Sequence, residues 1–139
     1  MSFREISAWV MLNVLLIITG FYFFRIWQLS PPGELISPNF GSLLNFTITL
    51  IIWTVISHIV LSIIFPKDAN APRDERDRII DDRAGHISGL ILGIGAVTAL
   101  GHFLFYEQAN LLFYMVFAAL VASQVGEYLC RIFYYRRGV

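Results

Sequence analysis

The chain carries little charge and almost no sulfur. Only 14% of its 139 residues are Asp, Glu, Lys or Arg, ten of each sign, so there is no basic excess of the kind a nucleic-acid surface needs. The single cysteine, Cys130, excludes an internal disulfide, a CxxC redox pair and any cysteine-rich zinc site. It is read as a packed, reduced thiol. Also missing are a G-x-S-x-G elbow, an H-E-x-x-H helix, a phosphate-binding glycine loop followed by Lys, and a dinucleotide fingerprint. These absences speak against an enzyme, and no cofactor or metal site is expected. No internal repeat or low-complexity tract breaks the chain into modules, so residues 1–139 are read as one domain.

What the chain does have is apolar length. Hydrophobic residues make up 57% of it, and the mean hydropathy is +0.67, a membrane composition. Four segments, about 6–27, 43–65, 87–105 and 111–134, meet the requirement of roughly 20 residues for a hydrocarbon core of about 30 Å. The first is read as a retained span, because no small-x-small cleavage site follows it and it runs on into aromatics and Arg25. The expected fold is therefore an all-α integral membrane bundle of four transmembrane helices.

Basic residues orient it. Arg4, the loop carrying Lys67, Arg73, Arg76, Arg78 and Arg83, and the terminal Arg131, Arg136 and Arg137 all fall on one side, leaving only Arg25 near the other. By the positive-inside rule both termini and the middle loop are cytoplasmic, in an inner membrane. The loop 30–41, with Pro31, Pro32, Gly33 and Pro38, is then external. The turn near Glu107 to Asn110 is so short that the third and fourth spans form an antiparallel hairpin. Aromatic residues, among them Phe23, Phe24, Trp27, Tyr106 and Tyr114 on one side and Trp9, Phe133 and Tyr134 on the other, form belts at both interfaces.

Charge is concentrated in one place: residues 73–83 hold four Arg and five Asp or Glu in eleven positions. Such a run does not enter lipid. With Asn70 as a cap and Pro72 in the first turn, it predicts a solvated helix supported by i,i+4 pairs and continuous with the third span from about Arg73 to Phe105, so that the third helix extends into the cytoplasm. Gly85 and His86 mark the expected point for a bend. Gly85, Gly89 and Gly93 on the third span, and Ala118, Ala122 and Gly126 on the fourth, repeat at intervals of four. Small residues at this spacing let helix backbones approach closely in lipid. The two faces are expected to pack on each other, or one to be a dimer seam.

Intramembrane polar residues are the remaining candidates, since each costs desolvation energy. At 1.5 Å per residue Asn13, His58 and Glu127 all lie about 10 Å from the cytoplasmic ends and could form one layer, with Arg131 one turn from Glu127. The layer reads first as an ion pair with hydrogen-bonding neighbours, and alternatively as a proton-coupled site with Glu127 or His58 titrating. Metal or haem ligation is disfavoured, because sixteen residues place His86 and His102 about 24 Å apart and on nearly opposite faces of one helix.

The run Arg73, Asp74, Glu75, Arg76 and Asp77, followed by Ile79 or Ile80 and Ala84 between the second and third spans, resembles a family of small prokaryotic four-helix membrane proteins of unknown function. In that family a D-E-R-D-type motif opens a helix leading into a span. The resemblance covers about a fifth of the chain in motif terms. It implies a membrane-anchored partner for a cytoplasmic protein, a helix-turn-helix regulator among the expected kinds, and it assigns no catalytic residue. Together these readings predict a non-enzymatic membrane protein, a homo-oligomer in the lipid bilayer, that offers Arg73, Asp74, Glu75, Arg76, Asp77 and Arg78 to a cytoplasmic protein. A small transporter or channel-like oligomer using the His58 and Glu127 layer is the alternative.

Overall fold

A computed structural model describes residues 3–66, 72 and 74–137. They form four helices: α1 (Phe3–Leu29), α2 (Phe40–Ile64), α3 (Glu75–Tyr106) and α4 (Ala109–Arg137). Each is long and apolar enough to cross a membrane. No strand occurs among the described residues.

Local chemistry sets the helix ends. Asn39 caps α2 through a 2.7 Å bond from the Gly41 N–H to its side-chain oxygen. α3 starts two residues later than the sequence suggests. Asp74, rather than Asn70, is the cap, and Asp77 accepts from the Asp74 N–H at 3.1 Å to close a capping box. Pro72 thus precedes the helix instead of occupying its first turn, and Arg73 and Asn70 lie outside the described residues. At the other end of α3, Glu107 takes the left-handed conformation (φ 53°), and its N–H bonds to the Phe103 carbonyl, which lets α4 begin after only two connecting residues.

The helices lie in the order α3, α4, α1, α2, with α4 packed on both α3 and α1, and α2 packed chiefly on α1. Two apolar clusters hold α1 to α4. Near the chain termini Ala8 and Leu12 meet Ile132. At the opposite end Tyr22, Ile26, Phe46 and Tyr114 bring α1, α2 and α4 together, with Phe23, Phe113 and Phe117 around them. The Tyr22, Phe46 and Phe117 rings stand 5.1 Å apart in every pairing, in tilted and edge geometries that add to simple burial.

The α3–α4 seam is built from small residues, but not the expected ones on α3. Ile80, Ala84, Ser88 and Ala99 are buried along one stripe, Gly95 lies against Ala119, and Gly126 against the tip of Ile91. Gly85, Gly89 and Gly93 instead have open space where a side chain would project. Because each residue advances about 100° around a helix, a seam at Ala84 and Ser88 turns Gly85 and Gly89 away. On α4 the seam uses Ala119, Ser123 and Gly126, while Ala118 and Ala122 are exposed.

α2 is almost bare. Only 6% of its apolar window is buried, against 33% for α1, and Ile51, Ile52, Trp53, Val55, Ile59 and Ile63 are each about half exposed or more. A soluble monomer does not show apolar surface on this scale.

Candidate functional site

Charged side chains from three helices meet at the end that carries both termini. Asp77 is the centre. Its Oδ2 lies 2.9 Å from Arg4 Nε on α1, and its Oδ1 accepts the Tyr135 hydroxyl of α4 at 2.9 Å. One carboxylate therefore caps its own helix and ties it to two others. One turn on, Arg131 stands between two acids: its Nη2 is 2.6 Å from Glu127 Oε1, and its Nε 3.4 Å from Asp81 Oδ1. The longer contact is an ion pair without hydrogen-bond geometry. Glu5, buried on α1, accepts Arg136 Nε at 3.0 Å, and the Arg136 guanidinium also lies over the Trp9 ring. Arg76 reaches the Tyr135 carbonyl at 3.3 Å. Pairs of this kind, mostly a fifth to a third exposed, fix geometry more than they add stability.

The candidate residues from the sequence divide accordingly. Of the charged run, Asp74 and Asp77 serve the cap and the helix contacts, Arg73 lies outside the described residues, and Glu75, Arg76 and Arg78 are exposed. Asp82 and Arg83 are exposed as well. At about 100° per residue Glu75, Arg78 and Asp82 share one side of α3, the side that continues as Gly85, Gly89 and Gly93 and lies opposite the α4 seam.

Of the polar layer, Glu127 and Arg131 do pair. Asn13 and His58 do not join them: Asn13 Nδ2 donates to the Trp9 carbonyl at 2.8 Å, His58 Nδ1 lies 2.9 Å from the Thr54 carbonyl, and both residues are exposed. Each bonds within its own helix, one turn back, which satisfies a polar group without a neighbour. Among the described residues no three His, Cys, Asp or Glu side chains are grouped to hold a metal ion. The sequence reading did not bring Arg4, Glu5, Asp81 or Tyr135 into the site. Only their position at the same depth as the charged run could have suggested them.

At the opposite end the loop between α1 and α2 is fastened over the start of α4. Ile36 N–H donates to Ser30 Oγ, Asn110 Nδ2 to the Leu35 carbonyl, and the Tyr114 hydroxyl to the Ile36 carbonyl, at 3.1 to 3.2 Å. Under this loop lies a cleft of about 1280 Å³ walled by the last turns of α1, the loop, and residues 108–111 and 114 of the α3–α4 turn and α4.

These elements define an all-helical protein whose four helices are each able to span a bilayer, tied at one end by an ion-pair network. Comparison with protein-family models, curated proteins and solved structures gives no match to the chain.

Proposed function

We propose that this is a non-enzymatic integral membrane protein of a prokaryotic inner membrane, with both termini and residues 67–83 in the cytoplasm, that works by association along one side of α3. The observation that carries the reading is the division of charge on that helix. Asp77 and Asp81 are turned inward onto Arg4, Tyr135 and Arg131, which holds the first turns of α3 in place. Glu75, Arg78 and Asp82 stay on the outer side, in line with the glycines. A helix fixed in this way offers its exposed charges at little further cost in order, which favours binding by preorganisation.

At 32 residues α3 is about 48 Å long, well beyond a hydrocarbon core of about 30 Å. The surplus is the charged segment, placed in the cytoplasm to meet a partner protein. Within lipid, Gly85, Gly89 and Gly93 form a close-approach face for a second copy. The motif resemblance to membrane proteins that accompany cytoplasmic regulators points the same way. A proton path through His58 and Glu127 draws less support, since His58 bonds its own helix on an edge helix and Glu127 is held by Arg131.

The test is capture of cytoplasmic partners by the detergent-solubilised full chain, compared with a variant carrying Glu75→Lys, Arg78→Glu and Asp82→Lys. Charge reversal is expected to abolish capture while the helical circular dichroism and thermal midpoint stay close to wild type. Unchanged capture would overturn the reading. Site-directed cross-linking in native membranes from Gly89→Cys, in a Cys130→Ser background, checks the second copy; absence of a dimer band at that position and at Gly93→Cys would exclude it.

A further inference from the structure

The cleft at the end of the molecule remote from the charged network is a preformed site, because the loop over it is held by three separate contacts to Ser30, Asn110 and Tyr114. Its walls are of two kinds. Phe23, Ile26, Trp27 and Leu111 give an apolar side, with Trp27 74% exposed. The other side holds one charged group, Glu34, whose carboxylate is exposed and has no ion pair among the described residues. The first turn of α4, from Ala109, borders the same cleft, and the first N–H groups of a helix have no acceptor within it. Acid, positive helix pole and apolar wall thus border one space, at the level where an aromatic belt meets lipid headgroups.

We propose that this cleft binds an amine-headed phospholipid, the phosphatidylethanolamine class, with the ammonium on Glu34, the phosphate toward the first turn of α4, and the start of an acyl chain over Trp27 and Ile26. The volume, about 1280 Å³, exceeds a compact small-molecule pocket and suits a headgroup with its first methylenes. Charge complementarity selects within lipids. An anionic headgroup without an amine meets Glu34 as a like charge, and a trimethylated choline carries the positive charge but has no N–H to donate to the carboxylate. The site rests on the membrane reading alone and is independent of the partner surface of α3, so its failure leaves that surface untouched.

The experiment uses the full chain with Trp9→Phe and Trp53→Phe, which leaves Trp27 as the single tryptophan. The protein is reconstituted into phosphatidylcholine vesicles carrying a matched fraction of acyl-brominated phosphatidylethanolamine, phosphatidylcholine or phosphatidylglycerol. The expected result is Trp27 quenching with an apparent affinity about two- to fivefold higher for the ethanolamine lipid, the size of an exposed ion pair, and loss of that preference in Glu34→Gln. If Glu34→Gln does not fold by circular dichroism, stepwise N-methylation of the brominated lipid tests the same contact on the Glu34 chain, with preference falling at each step. Equal quenching by all three lipids, stronger quenching by phosphatidylglycerol, or a preference retained in a folded Glu34→Gln chain would overturn the proposal.

Discussion

The guanidinium of Arg4, at the beginning of the chain, and the carboxylate of Asp77, past its middle, stand 2.9 Å apart with the Tyr135 hydroxyl on the other carboxylate oxygen. This pair fixes the start of α1 to the start of α3, which share no extended packing face. Asp77→Asn removes the charge and leaves a single side-chain oxygen, so the Asp74 N–H and the Tyr135 hydroxyl can no longer be accepted on separate oxygens. In a double-mutant cycle with Arg4→Gln, the coupling energy is expected at about 1 kcal/mol. Thermal unfolding in detergent, read by circular dichroism, measures it, and a coupling near zero would mean that the contact does not form.

Three glycines separate the seam from the open face. A methyl group at Gly95 meets Ala119, which has no flexible atoms to move, whereas one at Gly126 meets only the end of Ile91. Gly95→Ala is expected to destabilise by about 1 to 3 kcal/mol, and Gly126→Ala by less. In the monomeric, detergent-dispersed chain Gly89→Ala, with open space around it, gains helix propensity and is expected to be neutral or to stabilise by up to about 1 kcal/mol. Unfolding midpoints in detergent rank the three, and equal effects would refute the seam.

Arg131 serves two acids, so its loss and the loss of either acid are unequal. Glu127→Gln leaves Arg131 with Asp81, and a change within about 0.5 kcal/mol is expected. Arg131→Gln leaves Glu127 and Asp81 without their common cation, and about 1 to 2 kcal/mol is expected to be lost. The same unfolding assay distinguishes them, and a larger loss from Glu127→Gln would reverse the assignment.

The loop over the cleft depends on Tyr114. Removing its hydroxyl in Tyr114→Phe deprives the Ile36 carbonyl of a donor, and a cost of about 1 kcal/mol is expected. Hydrogen exchange at residues 35–37 should accelerate, while exchange in the α3–α4 hairpin stays unchanged. Protection that is equal in both forms would show that Ser30 and Asn110 suffice.

Orientation is testable directly. In a Cys130→Ser background, Ser37→Cys should react with a membrane-impermeant maleimide on intact cells, and Pro72→Cys and Arg137→Cys only after permeabilisation. Labelling of Ser37→Cys and Arg137→Cys on the same side would remove the four-span topology.

Much of the fold was legible in the sequence because long uninterrupted apolar runs mark helices of this length: the four segments lie inside or within a residue of the four helices. The spacing by fours along α3 also signalled small-residue packing, yet two stripes on that helix, 84–88–95 and 85–89–93, both hold small residues. Periodicity cannot tell which one faces α4, since the choice rests on Gly95 meeting Ala119. In the charged run, Asp77 looked like any other acid of a solvated helix, and its partners Arg4 and Tyr135 come from other helices with no sequence signal linking them. The depth count put His58 at the level of Glu127, but depth says nothing of helix order, and α2 proves to pack chiefly on α1 rather than on α4.

A single carboxylate both completes the first turn of α3 and grips two neighbouring helices, so the winding of that turn and the hold on the bundle depend on the same group. A disturbance that unwinds residues 74–77 also releases Arg4 and Tyr135, so an occupant of the outer charges of α3 could be sensed at both ends of the chain.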